Sequence, residues 1–260
     1  MSLLVSAVIW NAMAAAPTPE DERIGRKLAD AVIESARAYA QAGRRDWVAC
    51  DDGAVTGGAG TVAATAPICD AERAVTGAVA QAALLREEDR RAGAEDSGAT
   101  EAACYSWLLD KGLDSRQSIV RLHVLMRMFD LCDQGSFMTE EGKRRCPDYV
   151  EKGCLVVLHR DSNGLNRQVA LEILGAGYAS AASAGVLEDL VAKPVRSSAA
   201  CRKVFTGGTD AGDPVSLDDV NRKYGNARSP CEGELSRALL KALQVQRDQA
   251  GPTRPSDPTH

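Results

Sequence analysis

The stretch Ser115-Arg116-Gln117-Ser118-Ile119-Val120-Arg121-Leu122-His123-Val124-Leu125-Met126-Arg127-Met128-Phe129-Asp130-Leu131-Cys132-Asp133 decides the fold. Ile119, Val120, Leu122, Val124, Leu125, Met126, Met128, Phe129 and Leu131 cover most of a helix's circumference. A helix that is apolar on nearly all sides belongs at the centre of a helical protein. Gly112 lies just upstream, and Asp114 or Ser115 is placed to cap the start. His123 sits inside the run, where a core histidine bonded to a backbone carbonyl is expected.

Helical signals also dominate on either side. From Glu20 to Arg45, Ile24, Leu28, Val32, Ile33, Ala36 and Tyr39 recur at three- and four-residue steps, behind an acidic start of Glu20, Asp21 and Glu22. A second helix is predicted from Asp70 to Arg91 and a short one from Thr100 to Lys111, ended by Gly112. Between them, Asp51 to Pro67, rich in Gly, Ala and Thr, reads as a loop, and Ala92 to Ala99 as an acidic linker. Downstream, Thr139 caps a short charged turn to Arg145, and Pro147 opens a helix to about His159. Leu165 to Ala184 is predicted as one helix, with others at 186–193, 197–205, 216–224 and 231–247. Short apolar runs such as Leu155-Val156-Val157-Leu158 fit inside helices. The fold class is all-α, with antiparallel helical hairpins forming a bundle or a short irregular solenoid, reinforced by disulfides.

The compartment follows from the N-terminus and the cysteines. Residues 1–16 run through Leu3, Leu4, Val5, Ala7, Val8, Ile9 and Trp10 into Ala14-Ala15-Ala16 and stop at Pro17. The stretch is too short to span a bilayer and ends in small residues, as a cleavable secretory signal does, although Met1-Ser2 carries no Lys or Arg. The mature chain is expected to begin between Ala15 and Thr18. Residues 17–250 then form a single domain, and the proline-bearing tail 251–260 is expected to be disordered. The chain has eight cysteines, Cys50, Cys69, Cys104, Cys132, Cys146, Cys154, Cys201 and Cys231. An even number in an exported chain points to disulfides and to a periplasmic or secreted location. Cys50–Cys69 would close the Gly-rich loop, Cys146–Cys154 a hairpin corner, and Cys201–Cys231 a loop holding Gly207, Gly208 and Gly212. Each such closure typically contributes about 2–4 kcal/mol.

The segment Cys146-Pro147-Asp148-Tyr149-Val150-Glu151-Lys152-Gly153-Cys154, with the later Leu174-Gly175-Ala176-Gly177-Tyr178, resembles the cysteine-rich helical-repeat proteins of the tetratricopeptide superfamily over about residues 144–185. That resemblance implies helical hairpins, each stapled by a bridge of this spacing.

Composition excludes several functions. Among 260 residues 45% are hydrophobic and 26% charged, which is ordinary for a folded domain with a sizeable core. The net charge of −5 and the 4% aromatic content argue against a nucleic-acid partner, which needs a basic face and stacking platforms. No stretch after residue 16 is long and apolar enough for a membrane span.

Chemical motifs fail on context. His159-Arg160-Asp161-Ser162-Asn163-Gly164-Leu165-Asn166 matches the protein-kinase catalytic loop, which would assign the hydroxyl-orienting role to Asp161 and magnesium to Asn166. Yet no Asp lies between Asp161 and Asp189, so the second metal-binding Asp is missing, as is a nucleotide-pairing lysine after Gly57 to Gly60. The string is therefore expected to be inert. Ser162-Asn163-Gly164 is a turn, and Asp161 or Asn163 a helix cap whose loss costs about 1 kcal/mol. Leu174-Gly175-Ala176-Gly177-Tyr178-Ala179-Ser180 resembles a dinucleotide-binding turn but lacks the third glycine and the ribose-binding acid near 195–199. Its glycines are expected at a close helix–helix contact. His123, His159 and His260 are the only histidines, and neither His123 nor His159 has nucleophile partners or zinc-ligand spacing. Asp161-Ser162-Asn163-Gly164 is too short for a calcium loop. Glu87-Glu88, Glu140-Glu141 and Asp218-Asp219 could each hold a glycosidase acid, but each fits a solvated helix face or a helix start.

With no catalytic residue, cofactor or metal ligand assigned, the leading expectation is an exported, non-enzymatic module that binds another exported protein, as an inhibitor or immunity-type factor does. The rival is an exported cell-wall or peptide hydrolase working through carboxylates. A cleft with a carboxyl of raised pKa at its floor would favour the rival. A broad apolar or acidic face without a cleft would favour the binder.

Overall fold

The computed structural model describes residues 18–45, 47–48, 50, 59–91, 98–135, 138–192, 236–241 and 243–245. All regular structure among them is helical, in agreement with the all-α expectation. The signal segment, residues 51–58 of the Gly-rich loop, the acidic linker 92–97, the helices expected at 197–205 and 216–224, Cys201, Asp218, Asp219, Cys231 and the tail lie outside the described residues.

Helix α1 (Pro19–Gln41) starts at a complete capping box: Asp21 N–H donates to Thr18 Oγ1 at 3.1 Å, and Thr18 N–H returns to the Asp21 carboxylate at 3.0 Å. Its apolar stripe, Ile24, Leu28, Val32, Ala36 and Tyr39, is buried as the periodicity requires. Helix α2 (Ala59–Arg91) begins eleven residues before the expected Asp70. It runs through Pro67, because one lost backbone donor is tolerable where the flanking Thr65, Ile68 and Cys69 are buried by packing. α1 and α2 are antiparallel, with Ser35 Oγ donating to Glu72 at 2.5 Å and Lys27 Nζ to Gln81 at 2.7 Å. Helix α3 (Ala99–Trp107) crosses α1 so closely that a Cβ on Gly25 would lie 2.3 Å from the Thr100 carbonyl oxygen.

The central helix is α4 (Ser118–Gln134), and Val120, Leu122, Val124, Leu125, Met128 and Leu131 on it are buried. It starts at Gln117 without a side-chain cap, so neither Asp114 nor Ser115 takes that role; Ser115 Oγ instead accepts from Gln117 N–H at 3.3 Å. α3 closes with a π-type turn at Leu108–Gly112 and is tied to α4 by Tyr105, whose hydroxyl donates to the Met128 carbonyl at 3.4 Å.

Helix α5 (Glu140–Arg160) corrects the sequence reading. The charged turn after Thr139 and the helix expected to open at Pro147 form one helix with Pro147 inside it. Its start is doubly held: Thr139 Oγ1 accepts from Gly142 N–H at 2.9 Å, and the buried Glu101 carboxylate accepts from Thr139 N–H at 2.6 Å. This continuity refutes the Cys146–Cys154 bridge. Eight residues along a helix separate two Cα atoms by about 12 Å, well beyond the roughly 7 Å that a disulfide spans. Cys146 pairs instead with Cys132 at the end of α4, Cα–Cα 5.6 Å, while Cys154 and Cys104 are free buried thiols. Burial pushes both thiols up in pKa, which keeps them protonated and unreactive. The expected Cys50–Cys69 bridge is present, Cα–Cα 5.3 Å. Structural disulfides of this kind belong to oxidising compartments.

The helix expected over 165–184 is broken. Helix α6 (Gly164–Ile173) passes into a π-type turn, Leu174–Tyr178, in which Gly177 takes φ 110°, a region only glycine enters freely. A Cβ on Gly177 would meet nothing within 4 Å, so this glycine turns the chain and does not sit at the expected helix–helix contact. A 3-10 turn, Ala181–Ser183, leads into α7 (Ala184–Ala192). The buried Glu151 of α5 anchors that junction by accepting from Ser180 N–H at 2.8 Å and from the Ser183 hydroxyl. Residues 236–241 and 243–245 add a last helical segment, α8. Leu239 and Leu243 of α8 join the core.

Candidate functional site: a groove between α4 and α6

The kinase-like string folds into a buried polar hub. Asp161 ends α5 and is 4% exposed. Its carboxylate receives Arg121 Nε at 2.7 Å and Nη2 at 2.8 Å, Asn163 N–H at 2.9 Å and Asn166 Nδ2 at 2.6 Å. Burial opposes its charge, but the Arg121 guanidinium and the two asparagine donors outweigh it and hold the carboxyl below the usual range. Asn166 Nδ2 also donates to the Ser118 carbonyl at 2.8 Å, Arg121 Nη1 to the Ser115 carbonyl at 2.6 Å, and Arg167 to the Leu158 carbonyl. Asn163 caps α6, its Oδ1 accepting from Leu165 N–H at 3.1 Å and Asn166 N–H at 3.2 Å. Every acceptor position on Asp161 is engaged with the chain itself. The hub locks the start of α4, the end of α5 and the start of α6 together.

The other sequence candidates are spread apart. Glu87 is a partly exposed residue near the end of α2, its pKa drawn down to about 2 by hydrogen bonding to Arg90, with Arg91 adding to it. Glu140 and Glu141 occupy the first turn of α5, paired with Lys143 and Arg144. His123 is 2% exposed and donates from Nε2 to the Arg44 carbonyl at 3.2 Å, as a core histidine should. No cluster of three metal-ligating side chains occurs among the described residues. His159 lines an open groove of about 670 Å³ with Lys152, Leu155, Val156 and Arg160 of α5 on one side and Leu109, Asp110 and Asp114 on the other. Asp114 and Arg160, both exposed, approach to 3.8 Å there, so opposite charges meet within the groove.

A second groove has a different character. It measures about 330 Å³ and is built from Met126, Phe129 and Asp130 of α4, Val169, Glu172 and Ile173 of α6, Ala176 of the π-type turn, and Trp47. α4 and α6 run parallel here, as the Asn166–Ser118 bond sets their register.

Trp47 is held without being buried; it remains 38% exposed. Tyr39 stacks on His123 with ring centroids 3.9 Å apart, and Trp47 stands edge-on to both, at 5.6 Å and 5.4 Å. The Arg127 guanidinium lies 4.5 Å from the Trp47 ring centroid. Tyr39 hydroxyl accepts from Val48 N–H at 3.2 Å, and the Cys50–Cys69 bridge ties this segment to α2. Phe129 is braced edge-on by Tyr178 at 5.4 Å.

The carboxyl of Asp130 is pushed up in pKa by burial, and Asp133 and Glu72 nearby add to the effect against the pull of Arg127. Sequence reasoning missed this site. Trp47, which follows Arg44-Arg45-Asp46 in a chain with three tryptophans, was the available signal. Comparison with family models, with curated proteins and with solved structures finds no match to this chain.

Proposed function

We propose that the protein is an exported binding module that receives a segment of another exported protein in the groove between α4 and α6. The observation that carries this reading is Trp47. A large aromatic side chain is kept 38% exposed by a stack, a cation and a nearby disulfide, beside Phe129, Met126 and Ile173. Orienting these groups before binding lowers the entropy lost on association, and exposed aromatics in a pre-formed groove are the usual anchors of an interface. The two disulfides among the described residues support the exported setting.

The test is paired capture from envelope or culture extract with wild-type protein and with Phe129→Asp. The captured protein is then purified and its affinity measured against both forms. A purified partner that binds the wild type at least about tenfold tighter supports the reading. Equal affinity for both forms contradicts it.

A second reading, a hydrolase working through carboxylates, draws on Asp130 with its raised pKa and on Glu172, both lining this groove. Release of reducing ends or amines from cell-wall material, abolished in Asp130→Asn, would favour it.

A further inference from the structure

The groove is short of one positive charge. Among the described residues, one guanidinium, Arg127, lies within ion-pair distance of Asp130, and it is shared. Its Nη2 donates to Glu72, and its face lies against Trp47. Asp130 is left with the long contact, 3.7 Å from Nη1. Glu72 takes a second donor in Ser35, so the Arg127–Glu72 pair is internally satisfied, with both side chains 17% exposed. Among the described residues, Glu172 on the facing wall receives the neutral amide of Gln168 at 3.0 Å and no other side chain. Among the described residues, Asp130 in this apolar groove therefore has only a share of one cation, and the exposed Glu172 has none within ion-pair distance. A half-buried carboxylate beside apolar walls is costly until an opposite charge reaches it.

On these grounds we infer that the occupant is a short apolar segment of the partner protein carrying one lysine or arginine, whose cation is received by Asp130 with Glu172 opposite. The inference rests on the docking reading above and adds the chemistry of the anchor. Met126, Phe129, Val169 and Ile173 take the apolar side chains, and Trp47 closes one side. Aliphatic stems of Lys and Arg suit such a site, because they lie along apolar surface while the charged head reaches the carboxylates. The groove of about 670 Å³ near His159 does not share this deficit, since basic groups face its carboxylates.

The experiment is selection of a randomised dodecapeptide display library on the folded chain, followed by titration of the recovered peptides by fluorescence anisotropy. Titrations use the wild type, Asp130→Asn and Phe129→Ser. The expected peptides combine two or three apolar residues with one Lys or Arg. Acetylating that lysine, or introducing Asp130→Asn, should weaken binding by about tenfold or more, while Phe129→Ser weakens every groove-bound peptide. Apolar peptides with no basic residue, lost in Phe129→Ser and unaffected by Asp130→Asn, would leave the docking reading standing and overturn the cation. Peptides unaffected by Phe129→Ser, or recovery of none, would overturn both.

Discussion

Replacing Asp161 by alanine isolates the claim that the kinase-like string is a structural hub. The substitution removes a carboxylate that accepts four hydrogen bonds, two of them from a guanidinium. It strands Arg121, whose side chain is 17% exposed, beside buried Asn163 and Asn166. Breaking a buried pair while leaving its charged partner costs about 3–5 kcal/mol, against about 1 kcal/mol for a simple helix cap. In a chain of this size that corresponds to a fall in Tm of roughly 2–4 °C per kcal/mol. The assay is urea unfolding followed by circular dichroism on wild type, Asp161→Ala, Arg121→Met and the double variant. The double variant should recover part of the loss, because no uncompensated charge remains. A cost near 1 kcal/mol with strictly additive single effects would show that Asp161 is only a helix boundary and would refute the hub. Asp161→Asn, which keeps the shape, provides the same comparison if the alanine form does not fold.

The pH dependence has two opposite signs. Asp161 has a lowered pKa, so its contribution is complete above about pH 5 and is lost as pH falls through the folded value; Asp161→Asn should flatten that part of the stability curve. Asp130 has a raised pKa, so its charge opposes folding at neutral pH and the penalty is relieved as pH falls. Asp130→Asn should therefore raise Tm at pH 7, with the gain vanishing on acidification; a lower Tm at pH 7 would contradict the charge deficit. Non-reducing peptide mapping should find Cys132 bridged to Cys146, with Cys104 and Cys154 alkylated only after unfolding. Replacing Cys132 and Cys146 together by serine should cost about 3 kcal/mol for a loop of this length. Gly25→Ala should destabilise by about 1–3 kcal/mol, because its methyl group would strike the Thr100 carbonyl.

What was legible in the sequence was periodicity. The apolar stripe of α1 and the all-round apolarity of α4 reported burial directly, and His123 behaved as the core histidine its surroundings implied. What was not legible was decided by tertiary packing. Pro67 and Pro147 look like helix boundaries, yet each lies within a helix whose flanking residues are buried, so local chain preference was overridden. The Cys146–Cys154 spacing looked like a hairpin staple because the break at Pro147 was assumed; once α5 is continuous, only a partner on another helix is within reach. Asn163 was readable as a cap, whereas the Arg121–Asp161 pair was not, since forty residues separate its members. The groove was invisible for the same reason: Trp47, Phe129 and Ile173 converge only through the packing of α4 against α6.

Hydrogen exchange of the chain, with and without a saturating partner or selected basic peptide, tests the central claim most directly. The account predicts added protection at residues 47–48, 126–130 and 169–176, with none around residues 109–114 and 152–160. Protection confined to the groove near His159, or absent from the segment carrying Trp47, would contradict it.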